Sequence, residues 1–393
     1  MRVLVLGGYG MMAQSTVRDL LGSKGVDGVG IAGRSAEKAK AFARVLRDDR
    51  AVPTPVDIRE QDTLVRVMKD WDVVINSAWY DLNVIITEAA IRAGIHYTDL
   101  GGLYNLTLKQ MKLDRKAKDA GVTCLLGMGS TPGTMNVMGA YGASKLDRIT
   151  KVKLRSSGAV VKGGEAGVFA PPYAIRTIFD EFQLDCPILR KGRIQMVPAR
   201  SGLERMEFDP PVGKVEGYYT IHSELATMPQ TLGKGVQEMD FIVAFSPEFR
   251  QTVSTVCALG LARHEPIAVG GQKVDPFDAT SSLIESLPKP QEAELDVDVQ
   301  RCELIGEKDG HPVTLRYEAW TWPHERWNLG GGTVDTGVPP SIAAQWLAAG
   351  RVKAKGTVPP EVALDPLPYF KELAAQGRGI RIVEVAEERR ALN

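Results

Sequence analysis

Four apolar residues, Val3-Leu4-Val5-Leu6, break at once into Gly7-Gly8-Tyr9-Gly10 and restart as Met11-Met12-Ala13-Gln14-Ser15-Thr16-Val17-Arg18-Asp19-Leu20-Leu21. This order reads as strand, glycine turn, amphipathic helix. Within it, Gly8-Tyr9-Gly10-Met11-Met12-Ala13 fits the pattern G-x-G-x-x-G/A. In that pattern the first glycine makes a tight turn, the second lets backbone approach a pyrophosphate, and the small third residue lets helix pack on strand. Unpaired N–H groups and the positive end of the helix dipole would face the phosphates. Gly8, Tyr9, Gly10, Met11 and Met12 are therefore candidate dinucleotide contacts. A glycine turn by itself is weak evidence; its place directly after an apolar strand strengthens it.

The next segments repeat the rhythm. Gly28–Ala32 reads as a second strand ending in Gly33-Arg34-Ser35, with Ser35 placed to cap a helix through Phe42 to Leu46. An acidic residue at this turn would accept from a ribose 2′-hydroxyl, whereas arginine accommodates a 2′-phosphate. Arg34 and Ser35 therefore favour NADP(H), with NAD(H) as the second choice. Ala51–Val56 makes a third strand ended by Asp57, which would lie beside the adenine. Asp72–Ile75 runs into Asn76, Ser77 and Ala78, cofactor-edge candidates because ligands of open parallel sheets bind beyond the strand ends. A fifth strand ends at Tyr97-Thr98-Asp99-Leu100-Gly101-Gly102, placing Asp99 and Gly101 toward the nicotinamide. A sixth, Val122–Met128, enters Gly129-Ser130-Thr131-Pro132-Gly133. Six alternations of strand and helix predict a doubly wound parallel α/β sheet.

After Ile149 strand-like stretches dominate, at 150–155, 195–198, 218–221, 237–244 and 313–322, with helices expected at 173–182, 248–259 and 277–287. The pattern predicts a second, α+β domain with a mainly antiparallel sheet. Gly330-Gly331-Gly332 reads as a hinge, followed by helices that return to the first domain. The boundaries expected are 1–130 for the dinucleotide-binding domain, 131–332 for the substrate domain and 333–393 for a segment completing the first domain.

Lys+Arg and Asp+Glu both number 48, so no global field draws the chain to nucleic acid or an anionic membrane. Cys124, Cys186, Cys257 and Cys302 form no C-x-x-C pair, and the histidines form no H-x-x-x-H pair, so no metal site is expected. The chain opens on its first strand and has no long apolar run, which leads to the expectation of a cytoplasmic protein.

The first strand, the turns Tyr97–Gly102 and Thr131-Pro132-Gly133-Thr134-Met135-Asn136, and the late stretch Thr336-Gly337-Val338-Pro339-Pro340-Ser341-Ile342-Ala343-Ala344 together resemble the saccharopine dehydrogenase (saccharopine reductase-like) family. Within it the nearest likeness is to the lysine 6-dehydrogenases. The resemblance implies a Rossmann domain completed by C-terminal helices, a second α+β domain that often dimerises, and a cleft where a nicotinamide meets an amino-acid substrate such as lysine or saccharopine. It also implies hydride transfer that interconverts a C–N single bond and an imine. Two positions depart from the pattern: Arg34 stands where lysine 6-dehydrogenases commonly have Asp, and Thr131 where saccharopine reductases often have an acidic residue.

Such chemistry needs a group that takes or gives a proton near neutrality. His222, in Tyr218-Tyr219-Thr220-Ile221-His222-Ser223-Glu224, is one candidate, and Asp99 is another, as base or as anchor of a substrate ammonium. Tyr173, at a helix start, is a candidate hydrogen-bond donor to substrate. Arg176, Arg200 and Arg205 are alternatives for a substrate carboxylate. Trp320, Trp322, His324 and Trp327 form an aromatic cluster that would line the site or an interface. The alternatives to amine chemistry are an enoyl or carbonyl reductase of the same fold, or a non-catalytic NADP(H)-binding sensor.

Overall fold

The computed structural model describes residues 1–163, 169–288, 292, 294–375 and 377–388, with side chains omitted for 386–388. The strands Arg2–Leu6, Gly28–Gly33, Ala51–Pro55, Val73–Asn76, His96–Asp99 and Thr123–Leu125 form a parallel sheet, joined at its edge by Gly356–Val358. From the far edge inward its order is third, second, first, fourth, fifth, sixth, the doubly wound order that places a crevice at the strand ends. Its strands are short and almost wholly apolar because helices cover both faces: Val3, Leu4, Val5, Leu6, Val73, Val74 and Ile75 have no exposed surface.

The second domain is a nine-stranded mixed sheet. At its centre Arg148–Lys162 pairs parallel with Glu238–Phe245 on one side and antiparallel with Leu295–Lys308 on the other. The strand Leu295–Lys308 was not foreseen, because its Asp-Val-Asp-Val-Gln-Arg-Cys-Glu alternation carries so many charges that it resembles a surface segment. The apolar residues of that alternation are buried and its charged ones half-buried, with Gln300 buried beside Val299 where the phase slips by one, so a period of two survives on either side of that point beneath the charge. Helices Ile175–Gln183, Pro247–Ala258 and Pro276–Glu285 fall within two residues of expectation at every start and end.

The expected glycine hinge is instead tightly packed. A Cβ on Gly330 would lie 1.8 Å from an Asp296 carboxylate oxygen, and one on Gly331 would lie 2.2 Å from the Thr321 carbonyl. Close approach, not flexibility, selects glycine there, and a helix from Gly331 to Ala348 starts at this point. That helix packs against Ala13–Gly22 in the first domain, where Ser15 Oγ donates to the Thr333 carbonyl (2.6 Å) and Thr16 Oγ1 to that of Gly337 (2.7 Å). The boundary at 333 also needs correcting at its far end. The last strand, Ile380–Glu388, crosses back and pairs antiparallel with His311–Thr321, closing an edge of the second sheet.

One buried ion pair fastens this returning segment. Arg378, 2% exposed, donates from Nε to Asp19 Oδ1 (2.7 Å) and from Nη2 to Oδ2 (3.0 Å), and Ser341 Oγ adds a third donor to the same carboxylate (2.6 Å). Removing one member of such a pair leaves an uncompensated buried charge, so Arg378→Ala is expected to destabilise the fold by about 3–5 kcal/mol. Denaturant titration measures it; a loss below about 1 kcal/mol would mean the segment is held by its apolar contacts alone.

Candidate active site

The turn after the first strand is built around Gly7, not Gly8. Gly7 has φ +70°, and a Cβ there would meet the Ser77 carbonyl at 2.7 Å, so only glycine fits. Gly8 packs inward, donating to the Ala32 carbonyl at 3.0 Å. A Cβ on Gly10 would meet a single atom, the Gly7 carbonyl at 3.0 Å. The operative spacing is thus Gly7-x-x-Gly10-x-x-Ala13, and the signal for it was present: Gly7 directly follows the last strand residue. Ala13–Gly22 starts with no side-chain cap, leaving its N-terminal N–H groups for a ligand.

This turn opens on a cleft of about 1520 Å³ between the two domains. Met11, Met12, Arg34, Ser77, Ala78 and Gly101 line it from the nucleotide side, together with Arg59, which sequence reading passed over. Arg34 and Arg59 follow the second and third strands of the sheet, at the edge where an adenosine ribose lies in this fold. One buried polar atom of the same wall, Ser77 Oγ, has no partner among the described residues. An uncapped helix start, a glycine approach, an unpaired hydroxyl and two arginines suit a dinucleotide.

Other expected contacts are structural. Ser35 uses its Oγ to cap Ala36–Leu46 at the Lys38 N–H (3.2 Å), while its own N–H donates to the Tyr9 hydroxyl (3.1 Å), so Tyr9 supports the turn from beneath. Asp57 accepts from the Arg59 N–H (2.9 Å) and bends the chain that carries Arg59. Asn76, 1% exposed, bridges the Ala78 N–H (3.0 Å) and the Asn83 side chain (2.6 Å). Asp99 does not face the cleft. It is fully buried and accepts from the Gly127 N–H (2.7 Å), the Gly101 N–H (2.9 Å), Gln110 Nε2 (2.7 Å) and the Tyr97 hydroxyl (2.8 Å). Burial pushes its carboxyl up and these four donors pull it part of the way back. Occupied on both oxygens, it ties together the ends of adjacent strands.

The opposite wall carries a chain of titratable groups. Tyr173 donates its hydroxyl to Glu181 Oε2 at 2.5 Å, and His222 Nδ1 lies 2.5 Å from Glu224 Oε2; Thr131 Oγ1 hydrogen-bonds to the other Glu224 oxygen. Burial pushes Glu181 up to about 7, although nearby His222 and the Tyr173 hydroxyl pull the other way. Burial lowers His222, but the Glu224 carboxylate, helped by Glu181, more than offsets it and leaves the imidazole above its ordinary value. With Nδ1 held by a carboxylate, Nε2 is the nitrogen left to exchange protons. Glu224 thus supplies a carboxylate beside Thr131, from the helix Glu224–Thr231. Glu181 did not stand out in the sequence, since it sits in a stretch that reads as an ordinary helix; Glu224 belongs to the polar stretch around His222 but was given no role of its own.

Of the three arginines considered, only Arg176 lines the cleft, and it is engaged by Asp278 and Glu285. Arg205 is exposed and paired with Glu216 (2.7 Å); Arg200 reaches the Ser254 carbonyl (3.5 Å). None of Trp320, Trp322, His324 and Trp327 lines the cleft: His324 stacks on Trp327 at 3.9 Å, and Trp327 packs against the first domain's core.

Residues 3–125 match the model of the saccharopine dehydrogenase NADP binding domain, and residues 129–378 that of the saccharopine dehydrogenase C-terminal domain. The chain belongs to the saccharopine dehydrogenase family. It is an NAD(P)-dependent oxidoreductase of that family, whose related enzymes act on amine-containing substrates. Similar curated proteins include the carboxynorspermidine synthase of Vibrio alginolyticus, 25% identical over 84% of this chain and 82% of its own. The carboxyaminopropylagmatine dehydrogenase of Synechocystis is 24% identical over 88% and 89% respectively. Among solved structures, saccharopine dehydrogenase (L-Glu forming) from Saccharomyces cerevisiae shares the fold with a TM-score of 0.77, 16% identity, and coverage of 98% of this chain and 99% of that one. The NAD complex of homospermidine synthase from Legionella pneumophila follows at 0.69, with 12% identity over 100% and 94%.

The saccharopine dehydrogenase scaffold makes Gly10 a sharp test of the nucleotide side. Because a side chain at Gly10 meets so little protein, Gly10→Val is expected to keep the fold and abolish NADPH binding by filling the approach to the pyrophosphate. Fluorescence titration with NADPH and thermal unfolding check both halves; undiminished affinity would exclude this turn as the phosphate site.

Proposed function

We propose that this protein is an NADP(H)-preferring enzyme that makes or breaks a C–N bond of an amino-acid substrate, with Glu181 and His222 as its acid–base groups. The observation that carries the reading is the Tyr173–Glu181 and His222–Glu224–Thr131 arrangement, facing the strand ends of the first domain across one cleft. A nicotinamide, when bound, exchanges the hydride. Glu181, titrating near neutrality, gives a proton to nitrogen as an imine is reduced and removes one as an amine is oxidised. Tyr173 fixes the carboxyl through its hydroxyl, and Glu224 fixes the imidazole tautomer, so that neither group must reorganise during the reaction. The apolar residues beside them, including Phe241 stacked on His222 at 4.1 Å, keep water from the groups and hold Glu181 near seven.

The two curated relatives, named for carboxylated polyamines, support reductive joining of an amine to an aldehyde-bearing amino acid over deamination of lysine. Arg34 and Arg59 support NADP(H) over NAD(H). The experiment follows NADPH absorbance with an amino acid semialdehyde and a panel of amines, and runs lysine and saccharopine oxidation in parallel. Turnover dependent on both amine and aldehyde is expected. Turnover of an enone without any amine would instead identify a C=C reductase on the same scaffold.

A further inference from the structure

Beside the acid–base groups, the second sheet presents a cluster of buried and half-buried side-chain acceptors. Asp296, Asp298 and Gln300 alternate along Leu295–Lys308, so their side chains share one face, and all three line the cleft. Asp335, 2% exposed at the start of Gly331–Ala348, adjoins Asp298. The protein's own donors are Gly332 N–H to Asp296 (2.9 Å), Gln300 Nε2 to Asp298 (2.5 Å), Thr336 Oγ1 to Asp335 (3.3 Å) and the backbone N–H groups of Asp296 and Val299, and Asp298 and Asp335 share a side-chain hydrogen bond. Gln300, 1% exposed, spends its only donor group on Asp298, and its Oε1 has no partner among the described residues. Among the described residues the charges acting on these carboxylates are one another's. Buried acceptors left unpaired are costly, and a group carrying several N–H donors and a positive charge satisfies all of them together.

We propose that Asp296, Asp298 and Gln300, backed by buried Asp335, form a subsite for a second positively charged nitrogen of the substrate, an ammonium or guanidinium distinct from the nitrogen that reacts beside Glu181. This deepens the function proposed above and rests on it for the reaction, though not for the binding. The two centres adjoin at the Tyr173 hydroxyl, which donates to Glu181 and feels the charge of Asp298. A short spacer between the two nitrogens therefore suffices, as in a linear diamine. The carboxylates also explain why a neutral or singly charged amine would bind poorly: it leaves their charge unmatched.

The test titrates the full-length protein, saturated with NADPH, with linear α,ω-diamines of graded length and with agmatine. n-Butylamine serves as the singly charged control, and the fluorescence of bound nucleotide is the readout. Diamines are expected to bind roughly 10- to 100-fold more tightly than butylamine, the range of a charge-assisted hydrogen bond. Asp298→Asn, which keeps shape and relieves repulsion, should reduce diamines to the affinity of butylamine while NADPH binding is unchanged. Asp296→Asn, at a half-buried position, repeats the test should the first variant fold poorly. Equal affinity of diamine and butylamine for the native protein would overturn the subsite, as would an Asp298→Asn loss that falls equally on NADPH, which would mark the acids as cofactor contacts. Turnover of singly charged amines as readily as diamines removes the subsite and leaves the function standing. Asp298-dependent diamine binding without any amine-dependent turnover does the reverse.

Discussion

Glu181→Gln is expected to lower turnover by about 10²–10⁴-fold, the usual contribution of a positioned acid–base group, and to flatten the pH profile near neutrality. The sign follows from the direction of the shift. Burial raises the carboxyl to about 7, so below that pH it carries the proton and above it the charge. Imine reduction, which consumes a proton, should be level below about 7 and fall above it, whereas amine oxidation should rise through about 7 and level off. His222 lies close enough to couple, so the two limbs belong to the pair and His222→Ala should move them as well. Glutamine cannot titrate, and the limb assigned to the carboxyl should vanish. Stability separates this from unfolding. The native carboxyl retains its proton between 4.5 and about 7 while the unfolded chain releases it, so its contribution is full below 4.5 and is lost as pH rises through about 7. Glu181→Gln should therefore be at least as stable as the native protein at pH near 8. A variant with native turnover and an unchanged profile would move the acid–base role elsewhere.

Arg34→Asp is expected to weaken NADPH binding by roughly a hundredfold and NADH by much less. A unit charge about 4 Å from a phosphate is worth about 4 kcal/mol at an effective dielectric near 20, and the substitution replaces attraction by repulsion. Arg34 is exposed at the cleft rim, so salt and water screening bring the net effect well below that sum. Arg59, on the same wall, retains part of the attraction, and the double replacement Arg34→Asp with Arg59→Ala should remove most of what remains. The ratio of the two dissociation constants, measured by fluorescence at two ionic strengths, is the readout. Equal losses for both nucleotides would place Arg34 away from the 2′-phosphate.

The first six strands of the parallel sheet were legible because each ends in a small or polar turn and is followed by a helical repeat, signals contained within about thirty residues each, whereas the edge strand Gly356–Val358 was not. The second domain was legible only in part. Its helices were periodic enough to find, but the strand Leu295–Lys308 hid its alternation under charge, and that strand bears Asp296, Asp298 and Gln300. His222 and Tyr173 were recognised by residue type. Glu224 was visible only as one polar neighbour of His222, and Glu181 was not recognised, since a glutamate on a helix looks solvated until its surroundings are known. Asp99 failed the other way: a polar residue at a strand end suggested a ligand contact, and four donors, the near neighbours Tyr97 and Gly101 and the more remote Gln110 and Gly127, occupy it instead.

The sequence by itself determined the nucleotide-binding architecture, because backbone turns, strand burial and helix starts are set by neighbours along the chain. Only the tertiary structure decided which charged groups meet in the cleft and which are neutralised outside it. Charge, burial and proton affinity depend on atoms brought together from positions such as Thr131 and Glu224, or Asp298 and Asp335, whose proximity no local pattern encodes.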